Sequence, residues 1–209
     1  MVRPSNQTRN TREEILNVSM TLFATRGFKA TTVKEIAATV GIKDASLYNH
    51  FPGKQAIFDA IIERELTRIE HAFQDSNAMF DMSDSSSISI AHSIDQLEDA
   101  LMKSYEPFFT DAGMIALRKM LTVNQFESEQ AGVLYRRIFL DQPLAFQTSV
   151  FERLIAMRAF AQGNARIAAY ESYGPVFVML SQGLSWKEAQ PKIRALLRAF
   201  ERSHNAQDQ

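Results

Sequence analysis

The stretch TTVKEIAATVGIKDASLYNHFPGKQAIF, residues 31–58, decides the fold of this chain. Its apolar residues recur at helical spacing, which is interrupted at Gly41 and again at the pair Pro52-Gly53. The pattern predicts two short helices joined by a glycine turn, followed by a long helix that begins near Lys54. Several polar side chains surround the second short helix. A packed apolar core does not require such a set of polar side chains. The sequence therefore raises the question of what these side chains do.

Helical periodicity extends in both directions from this stretch. Upstream, Ile15, Val18 and Leu22 share one face of a helix that begins with Thr11 and Glu14 at capping-box spacing. Downstream, the predicted helices lie near residues 54–74, 93–107, 111–124, 131–163, 164–182 and 185–204. The intervening residues 75–92 are rich in Ser and Asp and are predicted to form a loop. Since the alternation typical of strands is absent, the sequence predicts an all-α fold of about nine helices.

Helix ends within the first part of the chain are clearly marked. Gly27 suits the left-handed position after the first helix, and Thr32 with Glu35 has the spacing of a second capping box. Three short helices therefore precede the long one. This predicts a three-helix head in residues 1–54 and an antiparallel helical body in residues 55–209.

Composition and charge narrow the class of protein. The net charge of the chain is −1, but residues 1–54 carry eight Lys/Arg against four Asp/Glu. A basic head on an acidic body favours binding of nucleic acid by the head. The sequence has no cysteine, no apolar leader and no apolar run of the ~18–20 residues that a membrane span needs. These features predict a cytoplasmic protein without disulfides or a membrane anchor.

Two short helices joined by a glycine turn and braced by a third form a helix-turn-helix, whose second helix fits the major groove of DNA. Here that helix covers residues 44–50, with Leu47 and Phe51 facing the core. The side chains expected to approach DNA are Thr32, Lys43, Asp44, Ala45, Ser46, Tyr48, Asn49, His50 and Lys54. Hydroxyl, imidazole and ammonium groups suit phosphates, whereas amides and lysines can also read base edges. The alternative is that these residues form an ordinary solvated helix face.

Residues 9–58 resemble the DNA-binding domain of the TetR family of bacterial transcriptional regulators. The motifs that carry the resemblance are ILNVSMTLFATRGFKATTVKEIAATVGI and, after it, ASLYNHFPGKQAIF. The resemblance implies that the helix carrying SLYNHF is the recognition helix. It also implies phosphate contacts from Tyr48, His50 and Lys54, and a base or phosphate contact from Lys34.

The pair Lys43-Asp44 departs from the family pattern, in which Ser-Lys is common. A Lys side chain cannot cap a helix, so Asp44 is expected to cap the recognition helix instead. An acid at this DNA-facing position is expected to pair with a cytosine amine or with Lys43. Which of residues 43–46 read bases therefore depends on the direction of the Asp44 side chain.

The resemblance also implies a homodimer, in which the last two helices of each protomer form a four-helix bundle. Both helices carry apolar stripes at helical spacing. The candidate interface residues are Tyr173, Val176, Phe177, Leu180, Ile193, Leu196, Leu197 and Phe200. The alternative is that the stripes only cover the core of their own protomer. A dimer would place two recognition helices on the two halves of a palindrome.

An effector cavity in the body is a further implication of the resemblance. The candidates for its wall are Met102, Tyr105, Phe108, Phe109, Met114, Leu117, Met120, Leu121, Phe126, Phe139, Phe146 and Phe151. The polar candidates for orienting a ligand are Tyr105, Arg118, Asn124, Gln125 and Gln147. Met and aromatic side chains adapt to a ligand, and few charges lie among these positions. The expected effector is therefore small and largely apolar, although such residues form plain core more often than a cavity.

Taken together, these features predict a dimeric regulator, most readily a repressor, that binds a palindromic operator through residues 44–50. It is expected to release the operator when the effector binds the body. The alternative is a regulator with the same head that responds to a protein partner or to no effector. An enzyme is not expected, because the four His lack metal-ligand spacing and no phosphate loop or nucleophile elbow occurs. No metal and no cofactor are predicted.

Overall fold

The computed structural model describes residues 10–75 and 94–204, and within these ranges it contains helices and no β-strand. The helices are α1 Thr11–Arg26, α2 Val33–Val40, α3 Asp44–Tyr48, α4 Lys54–Asp75, α5 Ile94–Thr110, α6 Ala112–Asn124, α7 Glu129–Arg136, α8 Gln142–Ala156, α9 Ala165–Ser181 and α10 Trp186–His204. A π-helical turn, Arg137–Asp141, joins α7 to α8 without a break, so that the described residues form nine helices when these three are counted as one. The predicted all-α fold is confirmed. The predicted loop at 75–92 lies, except for its first residue, outside the described residues.

Three helix boundaries differ from the sequence-based expectations. The recognition helix α3 ends at Tyr48, and α5 continues through Pro107 to Thr110. Pro107 lies in the last turn of α5, so only three residues continue the helix beyond the hydrogen bond that its missing N–H removes. The long segment before α9 changes its winding at the π turn Arg137–Asp141, and Pro143 follows in the first turn of α8.

The described chain forms two compact units, which we name the head unit and the body unit. The head unit contains the residues up to Thr67 together with Ala116–Gly132, and the body unit contains Arg68–Ile115 and the residues from Val133 onward. The predicted division near residue 54 differs from this in two ways. The first part of α4 belongs with the head, and so does a segment from the middle of the sequence. Apolar spacing alone could not show this, because it does not specify which neighbour a helix packs against.

The head unit is built on an aromatic cluster that joins α1 to α4. The Phe28 ring centroid lies 5.3 Å from those of Phe23 and Phe58, which are themselves 5.8 Å apart. Tilted and edge-on contacts at these distances are favourable for aromatic rings. At the surface, Arg64 of α4 donates to the Glu13 carboxylate of α1 at 2.8 Å. The helices α1 and α4 are therefore held together by aromatic packing in the core and by an ion pair at the surface.

Side-chain caps fix the beginnings of α1 and α2. Asn10, rather than the predicted Thr11, caps α1 by accepting a hydrogen bond from the backbone N of Glu13 at 3.3 Å. Thr32 caps α2 as predicted, since its Oγ1 accepts from the backbone N of Glu35 at 3.1 Å. These bonds satisfy N–H groups that a helix start otherwise leaves open.

Two glycines shape the turns of the head. Gly41 ends α2 in the left-handed conformation, with φ 78° and ψ 34°. Gly27 follows α1 with φ 84° and ψ 159°, a positive-φ conformation that suits glycine but differs in ψ from the predicted left-handed cap. A side chain at Gly27 would be strained, and its Cβ would lie 3.7 Å from Val123 of α6.

The body unit packs α8 against α9, and α10 against α5 and α9. It contains an aromatic cluster of Phe151, Phe160 and Phe200, with ring centroids 5.2 to 5.6 Å apart. The buried Glu98 of α5 accepts hydrogen bonds from two arginines of α10, including Arg198 Nε at 2.9 Å. This pairing offsets the cost of burying a carboxylate. None of the helices in the described ranges combines the length and the apolar character that a membrane crossing requires.

Candidate nucleic-acid interface

The elements α2 and α3, with residues 41–43 between them, form a helix-turn-helix. Leu47 of α3 is fully buried, and Phe51, just after α3, is 3% exposed. The Phe51 ring also lies 5.0 Å below the Arg12 guanidinium, a cation–π contact to the beginning of α1. These anchors fix one side of α3 against the head, so that the opposite side faces outward.

The residues predicted to contact DNA from α3 and the turn after it all reach the surface. The exposed members of this set are Lys43, Asp44, Ala45, Tyr48, Asn49 and His50, and Ser46 is half-buried. Tyr48 is 54% exposed, although it bears a large ring. Asn49 and His50 lie in the turn that follows α3, because the helix is shorter than predicted. The reading surface therefore consists of one helical turn and the bend that leaves it.

Asp44 does not cap α3, which corrects the expectation from sequence. Lys43 occupies the cap position without a side-chain hydrogen bond, and its carbonyl accepts from the backbone N of Ser46 at 2.9 Å. Asp44 is the first helical residue, where the helix dipole favours a carboxylate. Its side chain is exposed beside the other reading residues.

The beginning of α2 adds a second group of outward residues. Thr32 and Lys34 are both exposed. Thr32 Oγ1 uses an acceptor site for the cap, and a hydroxyl keeps its own proton for donation to a phosphate. Glu35, one position further, pairs with Arg26 at the end of α1, which braces α2 against α1.

Lys54 is placed differently from the prediction. Its Nζ donates to the backbone O of Phe28 at 2.5 Å and of Thr31 at 2.8 Å, with a longer contact of 3.4 Å to the carbonyl of Lys29. Nζ also lies 4.3 Å from the Phe28 ring centroid. Burial lowers the pKa of Lys54. The ammonium has three donors, so a contact with a DNA phosphate would require it to release one of these carbonyls.

Asn124 was expected to orient a ligand, and the structure corrects that expectation. It is the last residue of α6 and is fully buried in the head unit. Its Oδ1 accepts from the backbone N of Phe28 at 2.6 Å, and its Nδ2 donates to the backbone O of Phe23 at 3.1 Å. The hydrogen-bonding groups of the Asn124 side chain are therefore used by the end of α1 and the turn after it. No local signal could have revealed this, because the partners are 96 and 101 positions away.

The predicted wall of the effector cavity is divided between the two units. Ten of its twelve residues are buried, and Phe146 is half-buried. Phe126 is 91% exposed in the turn after α6, so it lines no cavity within its own protomer. Among the polar candidates, Gln125 donates to the backbone O of Thr122 in the preceding turn and to no other described residue. Arg118 is half-buried.

Three buried polar side chains meet within the body unit: Tyr105 of α5, Gln147 of α8 and Ser172 of α9. Ser172 Oγ donates to Gln147 Oε1. Burial raises the pKa of Tyr105, and side-chain interactions with Ser172 and Gln147 oppose that rise in part. Even so, the Tyr105 hydroxyl has no hydrogen bond of normal geometry to any described residue. The neighbouring Tyr173 hydroxyl, by contrast, donates to the backbone O of Phe139 at 2.8 Å.

The predicted dimer stripe lies largely inside its own protomer. Six of its eight residues are buried there: Tyr173, Val176, Leu180, Ile193, Leu197 and Phe200. Phe177 is half-buried, and Leu196 is 43% exposed. The exposed apolar side chains of α9 are instead Ile167, Tyr170 and Val178. Gly174 lies on the same face at helical spacing, and a Cβ there would meet no atom within 4 Å.

A helix-turn-helix with one buried and one exposed side defines the head as a DNA-binding domain. Residues 15–61, which include α2 and α3 and extend into α4, match the family model described as bacterial regulatory proteins, tetR family. This segment therefore carries a DNA-binding domain of the TetR type, and members of that family are DNA-binding transcription factors.

Two curated proteins show the extent of the sequence similarity. The chain is 49% identical over 51 residues to the HTH-type transcriptional repressor KstR2 of Rhodococcus jostii, which covers 24% of this chain and 25% of that protein. It is 38% identical over 85 residues to the nucleoid occlusion factor SlmA of Yersinia enterocolitica, which covers 38% of this chain and 43% of that protein. The chain therefore matches less than half the length of these relatives.

Solved structures show that the fold is shared over nearly the whole chain. A TetR family transcriptional regulator from Pseudomonas syringae superposes with a TM-score of 0.61 at 16% identity, covering 95% of this chain and 98% of that one. The ketosteroid transcriptional regulator KstR2 of Mycobacterium tuberculosis gives 0.61 at 20% identity, covering 94% and 98%. At these identities the likeness shows the fold alone.

Proposed function

We propose that this protein is a dimeric transcriptional repressor that binds a palindromic operator and releases it when a small, largely apolar molecule binds the body unit. The observation that carries the DNA-binding part is the division of α3. Leu47 and Phe51 are buried, while positions 43–46 and 48–50 offer a surface rich in hydrogen-bonding groups. The match of residues 15–61 to a family of DNA-binding regulators supports the same conclusion.

The reading surface contains both kinds of group that a groove reader needs. Lys43 and Asn49 carry donors and acceptors for base edges, and the small Ala45 lets α3 approach the bases closely. Tyr48 and His50 lie at the end of α3 and in the turn after it, where their polar atoms can reach phosphates. Phosphate contacts fix the register of the protein on the duplex, and base contacts select the sequence.

Two further features set the chemistry of the operator. Thr32 and Lys34 present a hydroxyl and an ammonium from the start of α2, which suits a phosphate on the flank of the groove. A carboxylate at Asp44 is repelled by phosphates, so it fits DNA only where a base amine faces it. We therefore expect a cytosine opposite Asp44 in each half-site.

The exposed face of α9 supports dimer formation. Ile167, Tyr170 and Val178 place apolar surface around Gly174, where a second helix can approach closely. Leu196 adds exposed apolar surface on α10. An isologous pair of such faces buries this surface in both protomers at once. The buried residues of the stripe that the sequence suggested belong to the protomer's own core instead.

The effector part of the proposal rests on the polar group inside the body unit. A buried hydroxyl without a partner costs about 1–3 kcal/mol, so a ligand oxygen that accepts from Tyr105 would remove that cost. The aromatic and Met side chains nearby suit an apolar ligand framework. Two proteins of the same fold are consistent with this: SmeT was solved in complex with triclosan, and the M. tuberculosis KstR2 is a ketosteroid regulator.

A second candidate function keeps the head and changes the control. The match to the nucleoid occlusion factor extends over 85 residues, which is longer than the match to the repressor KstR2. In this candidate a protein partner controls the DNA-binding protein, and the body has no effector cavity. Both candidates make the same DNA contacts. They differ only in whether a small molecule or a protein partner controls DNA binding.

Site selection from random-sequence duplex DNA tests the DNA-binding part. Purified full-length protein is incubated with the pool, the bound fraction is sequenced over several rounds, and the affinity of the winning duplex is measured at two salt concentrations. We expect a palindrome, and an affinity that falls steeply as salt rises. A pool that stays random after selection would overturn the proposal.

The effector part is tested on the selected duplex. Matched neutral probes such as fluorenone and fluorene, which differ by one carbonyl oxygen, are scored for release of a labelled duplex. Trp186 is the sole tryptophan and lies 5.5 Å from the Phe109 ring, so its fluorescence reports events in the body unit. Release by the carbonyl compound supports the proposal. If a broad set of neutral and charged compounds leaves both signals unchanged, the partner-controlled candidate replaces it.

A further inference from the structure

A hydrogen-bonded joint lies at the end of α6, inside the head unit. The Asn124 side chain is fully buried there and makes three hydrogen bonds. Its Oδ1 accepts from the backbone N of Phe28 at 2.6 Å, and its Nδ2 donates to the backbone O of Phe23 at 3.1 Å and of Met120 at 2.7 Å. Asn124 thus ties α6 to the end of α1 and to the turn that follows it.

Packing alone does not explain a buried amide at this place. An amide is unfavourable in a core unless it is hydrogen-bonded. The carbonyl of Phe23 is one of the last four of α1, which helix geometry leaves without partners inside the helix. At Gly27 the chain leaves the helical path through a positive-φ conformation. Asn124 therefore supplies both a donor and an acceptor where a further turn of α1 would have supplied them.

The turn that Asn124 holds leads directly to DNA-facing residues. The carbonyls of Phe28 and Thr31 also accept from Lys54. Thr32 follows without a gap and caps α2, whose first turn presents Lys34. The turn before α2 is hydrogen-bonded to Lys54 of α4 and to Asn124 of α6. These bonds therefore set the position and direction of α2.

We infer that Asn124 is a positioning residue for DNA reading: it holds the turn after α1 and thereby fixes the start of α2 and the seat of α3. The inference rests on the proposed function for its DNA-binding part. Asn124 lies far outside the segment 15–61 that matches the family model. It also belongs to a helix that begins at Ala112, among residues of the body unit.

Asn124→Ala in the full-length protein tests this role, with Gln125→Ala as the matched control, because Gln125 bonds only within its own turn. Affinity is measured for the duplex selected by the unchanged protein and for a scrambled duplex, at a temperature where circular dichroism shows both variants folded. We expect Asn124→Ala to lose about tenfold or more in operator affinity, within the range of couplings between sites. Its affinity for the scrambled duplex should fall much less than its operator affinity, and the control variant should keep both affinities near the unchanged values. Hydrogen exchange at the Phe28 amide should become faster.

Each outcome decides the inference. If Asn124→Ala only melts earlier and binds the operator like the unchanged protein, the residue is structural and the inference is wrong. If Asn124→Ala does not fold, Asn124→Asp is used, since it keeps the shape and the acceptor for Phe28 but removes both donations; undiminished operator affinity in that variant overturns the inference as well. If the unchanged protein selects no site, the proposed function fails, and this role fails with it.

Discussion

The head and the body of this protein differ in how well the sequence alone predicts which residues are exposed. In the head, the buried and exposed sides of α3 come from a single stretch, residues 31–58, and the reading residues predicted on α3 and in the turn after it reach the surface. In the body, the apolar stripe predicted to join two protomers is mostly buried within one. A short amphipathic helix has a single apolar face, which packs against the core. A helix that is apolar on several sides can pack each of them against the core or against another protomer. The comparison shows that periodicity identifies buried faces but not their partners.

The largest expected effect comes from the exposed face of α9. Val178→Arg places two like charges near each other across a two-fold interface, which costs several kcal/mol. We expect a protomer that stays folded but sediments as a monomer, with operator affinity reduced ~100-fold or more because only one half-site is then read. Analytical ultracentrifugation and fluorescence anisotropy measure the two effects.

Val133→Arg is the matched control for that change. Val133 is an exposed apolar residue of α7, 47% accessible, and lies outside the α9 and α10 stripe. It should leave the dimer intact. A Val178→Arg variant that remains dimeric would mean that protomers associate through another surface.

The reading surface predicts two different losses at adjacent positions. Asn49→Ala removes a group suited to base edges and should cost about 1–3 kcal/mol with relaxed preference at one base pair of each half-site. Tyr48→Phe removes only a hydroxyl suited to a phosphate and should weaken specific and scrambled duplexes alike, by about 0.5–1.5 kcal/mol. Site selection repeated with each variant measures the preference. An unchanged preference in Asn49→Ala would show that other residues read the bases.

A smaller effect is expected at the start of α6, where Asp111 caps the helix and accepts two hydrogen bonds from Arg68. Burial would raise the pKa of Asp111, but the hydrogen bonds from Arg68 and Met114 and the Arg68 charge outweigh it, so the pKa lies below its ordinary value. Asp111→Ala should lower the free energy of unfolding by about 1–2 kcal/mol at neutral pH. Since the folded-state pKa is lowered, that contribution is present above the ordinary pKa and is lost as the pH falls through the folded one.

Chemical denaturation at several pH values tests the Asp111 prediction. The difference in unfolding free energy between Asp111→Ala and the unchanged protein should shrink below pH ~4, near the ordinary pKa of Asp. Glu106→Ala, at an exposed acid of α5, is the control and should show little difference at any pH. A difference that is constant down to pH ~2 would contradict the assigned ion pair.

The smallest expected effect is in the body unit, where a substitution should raise the stability and not lower it. Tyr105→Phe removes a buried hydroxyl that has no normal hydrogen bond to a described residue, so the Tm should rise by ~2–4 °C for about 1 kcal/mol. Tyr173→Phe is the matched control: its hydroxyl donates to the backbone O of Phe139, so its removal should lower the Tm. If both variants lose stability equally, Tyr105 is already satisfied and offers no site for a ligand oxygen.

The parts of the structure that could be predicted are those that depend on neighbours in sequence. The cap at Thr32, the end of α2 at Gly41 and the burial of Leu47 all follow from spacing within a few residues. The length of α3 did not follow, since its last turn opens into a bend at Asn49 and His50. Even so, those two residues stay on the exposed side.

The parts that could not be predicted depend on contacts between distant residues. Nothing in the sequence near Asn124 indicates that its amide completes the end of α1. Lys54 matches a family position for phosphate contact, yet here its ammonium serves the carbonyls of the turn after α1. In both residues a polar side chain satisfies backbone groups of another element, and such a pairing has no signature in local composition.

Equilibrium binding of the selected duplex, compared with a duplex that carries only one half-site, tests the central claim most directly. A dimeric reader should bind the complete palindrome with two protomers and should lose most of its affinity on the half-site duplex, with the loss repeated at each salt concentration. If the complete and half-site duplexes bind with equal affinity and with one protomer each, α3 does not read DNA as part of a symmetric dimer, and the account is wrong.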